Sequence, residues 1–232
     1  MITECIILAG GLGTRLRSVV GDAPKCMAPV NGVPFISYVI DYLQQQGVEK
    51  FIFALGYKSE VFEDFLATKL SKTQYTLSIE KEPLGTGGAI QLACTLANNE
   101  NIFATNGDTL FKANISALSQ FHEEKRANCT LGLKLMKNFD RYGVVELAKT
   151  GQVTGFKEKQ YFETGFINGG FYALDVQPFL NEGFGEKFSF EKDYLEKKFS
   201  KGKIYGFAQD AYFIDIGIPE DYKKAQVELA NY

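Results

Sequence analysis

No apolar stretch in the 232 residues approaches the roughly 20 that a membrane-spanning helix needs. The amino-terminal MITECIILAGG has no basic segment before its apolar run and no small-residue cleavage site. It reads as a buried strand, not a secretory signal. Basic runs are missing too. Lys and Arg are scattered through a chain of net charge −3 and pI about 5.4. That excludes a nucleic-acid footprint, so any bound anion must be held in a local pocket. The four cysteines, Cys5, Cys26, Cys94 and Cys129, are far apart and form no paired metal motif. They are expected to be reduced core residues in a cytoplasmic protein. The single histidine, His122, falls in a polar helical stretch. The chain shows no Ser/His/Asp or Cys/His arrangement for nucleophilic catalysis. No Gly-Lys-Ser/Thr tripeptide occurs, so the NTPase phosphate loop is excluded.

What remains is ordinary for a globular protein: 45% hydrophobic and 23% charged residues, enough for one α/β domain with a real core. Apolar strands at 4–9, 50–55, 75–80 and 102–105 alternate with helix-like stretches at 34–46, 59–66 and 87–97. The pattern predicts a mostly parallel sheet with helices on both faces and ligand loops at one edge. Strand-like runs at 129–136, 143–148, 153–157 and 166–174 then predict a mixed or antiparallel extension. Helices are expected at 188–199 and 219–230. The chain reads as a single domain, 1–232. Residues 1–112 carry the alternating strands and helices, and residues 113–232 carry the mixed extension.

The first strand runs straight into Leu8-Ala9-Gly10-Gly11-Leu12-Gly13-Thr14-Arg15-Leu16-Arg17. Closely spaced glycines let backbone N–H groups approach an anion, and guanidinium groups grip phosphate. A dinucleotide fingerprint needs glycine where Leu16 stands, which argues against an NAD-binding oxidoreductase. Pro24-Lys25 follows, with proline restricting the chain just before a lysine. In isolation the turn could be purely structural and the lysine merely solvated.

Together, LAGGLGTRLRSVVGDAPK resembles the sugar-phosphate nucleotidyltransferase family, whose mark is a first strand followed by GGxGTRL and a Pro-Lys pair. The resemblance runs from Ile6 to Tyr222. It implies the nucleotide-diphospho-sugar transferase type of Rossmann-like fold with a small sugar-binding lobe. It also implies catalytic roles for Arg15, Lys25 and Asp108. Nucleotide contacts are implied from Leu8, Ala9, Gly10, Gly11, Gly13 and Thr14. Glu82-Pro83-Leu84-Gly85-Thr86 would read the base, with Glu82, Pro83, Gly85 and Thr86 in contact and Gly107 nearby. A carboxylate such as Glu82 accepts two bonds from the guanine edge, which favours GTP. Asp108 and Asp215 each follow an apolar run. By the resemblance they hold Mg2+, which suits carboxylates shared with phosphate oxygens. Tyr142, Gly143, Glu158, Lys159, Asn168 and Gly169 would form the sugar-phosphate site.

One departure is visible. The family often has threonine before the proline that follows the second aspartate motif, whereas this chain has Ile218. That removes a hydroxyl contact and leaves the acid. The chain ends soon after the last expected helix, so no added repeat domain is expected. EPLGTGGA, INGGFYAL, FSFEKDYLE and FIDIGIPEDY look most like the heptose 1-phosphate guanylyltransferases. The expected reaction joins GTP and a sugar 1-phosphate, with no nucleic acid or membrane partner and room for a homo-oligomer. The rivals are mannose or glucose 1-phosphate enzymes of the same chemistry, a phosphocholine cytidylyltransferase, and a non-catalytic sugar-nucleotide sensor.

Overall fold

The computed structural model describes residues 1–11, 24–56 and 59–230. Strand β1 (Glu4–Leu8) is followed by a short 3-10 turn (Lys25–Met27) and a two-stranded clip, β2 (Pro29–Val30) and β3 (Val33–Pro34). Then come α1 (Phe35–Gln45), β4 (Lys50–Leu55), α2 (Ser59–Lys69), β5 (Tyr75–Ile79), α3 (Gly85–Cys94), β6 (Asn101–Asn106) and β7 (Thr109–Phe111). The second half holds α4 (Ile115–Lys125), β8 (Cys129–Phe139), β9 (Val144–Leu147), β10 (Val153–Lys157), β11 (Phe162–Asp175) and α5 (Val176–Leu180). A π-type turn (Phe190–Leu195), α6 (Glu196–Lys198), β12 (Ile204–Gln209), β13 (Phe213–Asp215) and α7 (Pro219–Glu228) complete it.

A seven-stranded sheet in the order β12-β8-β11-β6-β1-β4-β5 organises these elements. Its strands pair in parallel except β11, which runs against both β6 and β8. The fold is therefore α/β with a mostly parallel mixed sheet, as the alternation predicts. One face is covered by α1, α2 and α4, with Phe35, Phe62 and Leu118 buried against Phe53 and Phe103. The other is covered by α3, α5 and the π-type turn, with Ile90, Phe179 and Phe190 buried against Ile6 and Tyr172. Both faces of β1 are buried, which is why its sequence is a continuous apolar run and does not alternate. All four cysteines are buried free thiols, and burial raises the pKa of each.

Three of the expected elements differ in where they start or in kind. Strand β11 begins at Phe162, well before the apolar run, because the polar stretch Phe162–Thr164 pairs with Lys137–Phe139 in an arm beyond the main sheet. Helix α3 begins at Gly85, not 87, because the N–H of Gly87 donates to the Phe188 carbonyl (3.0 Å) and so is satisfied from outside the helix. The expected helix at 188–199 is a π-type turn and a short α6. The turn starts on a reciprocal cap: Ser189 Oγ accepts from Lys192 N at 3.2 Å, and Asp193 Oδ2 accepts from Ser189 N at 2.8 Å.

Although α4 is polar outside, His122 faces inward and is 1% exposed. Its Nδ1 accepts from the Thr130 hydroxyl (2.9 Å), and its Nε2 donates to Asn101 Oδ1 (3.1 Å). Burial lowers its pKa to about 4. The folded state therefore resists protonation that the unfolded chain accepts, and stability falls as pH drops from 6.5 towards 4. The loss is about 3 kcal/mol at pH 4. In urea unfolding across that range, His122→Gln is expected to lose less than the wild type by that amount. Parallel pH profiles for the two proteins would contradict it.

Candidate active site

The carboxyl ends of β1, β4, β5 and β6 surround a cavity of about 730 Å3. Its wall includes Leu8, Ala9, Gly10 and Gly11 from β1 and the turn after it, with Lys25 and Asp108 beside them. Glu82, Pro83, Gly85 and Thr86 line another side. Eight of these were expected at the nucleotide site, and Lys25 and Asp108 as catalytic residues. Gly13, Thr14 and Arg15 lie outside the described residues.

Lys25 is placed by Pro24 and by the 3-10 turn, whose Cys26 is buried beneath the site. Asp108 follows β6. Asp215 arrives from far along the chain because β13 pairs antiparallel with β7, setting Asp215 opposite Thr109. The Ile216 N–H donates to the Asp108 carbonyl at 3.1 Å, which locks the two segments together. The Lys25 ammonium donates to Asp108 Oδ2 and also to Asp215 Oδ1 at 3.5 Å. Burial and then the neighbouring Asp108 raise the Asp215 pKa, while Lys25 opposes them. Two far-separated acids thus share one cation. Among the described residues no group of three or more His, Cys, Asp and Glu gathers for a metal, so an ion held here would complete its coordination with substrate oxygens and water.

The glycines of Gly85-Thr86-Gly87-Gly88 have a structural use. Gly85 has φ +73°, and a Cβ there would stand 2.6 Å from the Phe188 carbonyl oxygen. Thr86 Oγ1 donates to Glu191 Oε2 at 2.7 Å, which brings Glu191 into the cavity wall. Gly107 is absent from that wall. Its N–H donates to the Leu8 carbonyl (2.9 Å), and it packs against Ile7 and Cys26.

The expected sugar-phosphate residues are less closely gathered. Tyr142 lines a second cavity of about 240 Å3 together with Asp215 and Arg141. Burial and then Asp215 push its phenol pKa up to about 12. Asn168 sits at a bulge in β11, where Oδ1 accepts from Gly170 N (3.0 Å) and Nδ2 donates to the Tyr172 hydroxyl (2.9 Å). Gly143 packs against the Lys157 carbonyl and Gly169 against Phe111. Glu158 and Lys159 are exposed just past β10. Four polar or charged wall residues were missed. Glu80 and Asn106, at a strand's carboxyl edge, were findable by position. Lys81 follows Glu80 into the same loop. Glu191 comes from the π-type turn, and nothing local in the sequence marks it.

A mostly parallel sheet with a large cavity at its strand ends, and a lysine held between two aspartates beside it, defines an α/β protein with a ligand crevice at the usual sheet edge. The chain belongs to the nucleotidyl transferase family, whose model matches residues 4–232. It is 49% identical over 229 residues, 99% of each chain, to the D-glycero-alpha-D-manno-heptose 1-phosphate guanylyltransferase of Aneurinibacillus thermoaerophilus. It is 44% identical to the enzyme of the same name from Campylobacter jejuni, over 94% of this chain and 96% of that one. Among solved structures it is similar to HddC from Yersinia pseudotuberculosis complexed with GMP-PN, with a TM-score of 0.88 and 37% identity over 98% of this chain and 100% of the other.

Proposed function

We propose that the chain transfers GMP from GTP to a heptose 1-phosphate and releases pyrophosphate. The observation that carries this reading is the meeting of Asp108 and Asp215 around Lys25, beside the cavity. The 49% identity to a heptose 1-phosphate guanylyltransferase supports the choice of base and sugar. The cavity takes the triphosphate, with its base towards Glu80, Glu82 and Thr86. Residues 1–112 serve mainly the nucleotide and residues 113–232 mainly the sugar phosphate. Tyr142, beside Asp215, together with Gly143, Glu158, Lys159, Asn168 and Gly169, bounds the sugar-phosphate side.

The second pKa of a phosphate monoester is about 6, so the sugar phosphate is already anionic at neutral pH and needs no general base. One of its oxygens forms a bond to the α-phosphorus in line, as the bond to the β-phosphate's bridging oxygen breaks and the electron pair leaves on pyrophosphate. The barrier is repulsion and misalignment of two polyanions. Lys25 offsets that charge, and Arg15 and the backbone N–H groups of the glycine-rich loop add to it. The carboxylates of Asp108 and Asp215 already hold a cationic group and offer hard oxygen donors, which suits Mg2+ shared with phosphate oxygens. Bound there, Mg2+ would supply charge neutralisation and a template for the phosphates.

No helix among the described residues is long and apolar enough to cross a membrane. With four buried free thiols, a cytoplasmic site of action fits. The test is a panel of triphosphates against phosphorylated sugars, followed by pyrophosphate release. GTP with heptose 1-phosphate is expected to exceed mannose 1-phosphate, and UTP or dTTP with any sugar, by at least about tenfold, the low end of what a shaped pocket discriminates. No release with any pair, or preference for a pyrimidine triphosphate, would reject the reading.

A further inference from the structure

The Lys25 ammonium is hydrogen-bonded to Asp108 Oδ2 and lies 3.5 Å from Asp215 Oδ1. The fold makes room for it there. A Cβ on Gly217 would stand 2.9 Å from Lys25 Nζ and 2.8 Å from Asp215 Oδ1. The same carboxylate oxygens are the ones a divalent cation needs. An ammonium and a divalent ion on one pair of carboxylates would place more positive than negative charge in a partly buried spot. The two cations therefore exclude each other until another anion arrives. A triphosphate is such an anion, and the flexible four-carbon stem of lysine lets Nζ move onto it.

We infer that Lys25 competes with the divalent ion for Asp108 and Asp215, so that the ion is admitted together with the triphosphate and not ahead of it. This rests on the metal-dependent transfer proposed above. Lys25 then has two successive partners: the carboxylates before the nucleotide binds and the phosphates afterwards.

The test follows Mn2+ binding without nucleotide, at fixed pH and ionic strength, by the electron paramagnetic resonance signal of the free ion. Lys25→Gln is expected to bind Mn2+ at least about tenfold tighter than the wild type, since it removes one whole charge from contact with both carboxylates. Adding Asp215→Asn to that variant is expected to abolish the gain, and Lys25→Arg is expected to show none. Binding by Lys25→Gln no tighter than wild type overturns the inference. So does tight binding that survives Asp215→Asn, since the ion would then be held elsewhere. Thermal unfolding checks the fold, and Lys25→Met gives the same reading should Lys25→Gln not fold. Pyrophosphate release by the wild-type preparation separates the two ideas. Transfer without tighter Mn2+ binding refutes the competition alone. Lack of transfer refutes the proposed function, while the Mn2+ titration still decides the competition.

Discussion

Replacing Lys25 by alanine is expected to lower turnover by at least about a hundredfold, measured as pyrophosphate release at saturating Mg2+ and both substrates. Losing one well-placed donor to developing charge typically costs about 3 to 4 kcal/mol of barrier. The fold is expected to persist, because Pro24 and the buried Cys26 set the turn without help from the lysine side chain. The deficit should lie in kcat and resist added Mg2+. Competition for the carboxylates pulls the other way, since losing the ammonium favours the metal. A slower enzyme that nevertheless holds Mn2+ more tightly without nucleotide would show that Lys25's catalytic work is done on the phosphates. Near-normal turnover in Lys25→Ala would reject its assignment.

The cavity wall was legible because its parts are local. A buried parallel strand shows as a continuous apolar run, and the loop at its carboxyl end lies at the ligand edge. Leu8 to Gly11 and Glu82 to Thr86 could therefore be read in place. The meeting of Asp108 and Asp215 is a different kind of fact. It depends on the ladder between β7 and β13, each three residues long. Strands that short leave almost no periodic signal, so the pairing came from family resemblance. The sugar half was less legible still. Its elements are the arm of β8 and β11 and the β9–β10 hairpin, where polar strand ends look like loops. Glycines carry two readings. Gly107, Gly143 and Gly169 match motif positions, and each also sits where another backbone or ring crowds the space a side chain would take. Sequence cannot separate a glycine that admits a ligand from one that admits a neighbouring strand.

Glu80 and Glu82 divide the same way, and the expected result is that Glu80→Gln destroys base selection while Glu82→Gln does not. Glu82 is exposed at the rim of the cavity. Glu80 is half-buried at the end of β5, where its Oε2 accepts from the Leu84 N–H at 2.8 Å. Its Oε1 lies so close to the turns after β1 and β4 that a Cβ on Gly10 or Gly56 would come within 2.7 or 2.8 Å of it. The carboxylate is thus held by the Leu84 N–H and crowded by the turns after β1 and β4 while still lining the cavity. A carboxylate only accepts, and the guanine N1–H and 2-amino groups only donate. Glutamine in its place can keep the Leu84 bond through its carbonyl, so the loop survives. Its amide then turns donors towards donors. The cost of such a mismatch to a charged acceptor is about 3 kcal/mol, or roughly a hundredfold in kcat/KM for GTP. Inosine triphosphate lacks the 2-amino group, so it should suffer less and the ratio of GTP to ITP should shrink. For Glu82→Gln both values should stay within about threefold of wild type, as for a solvated rim charge. An unchanged GTP-to-ITP ratio in Glu80→Gln, or its collapse in Glu82→Gln, would move base recognition to the rim carboxylate.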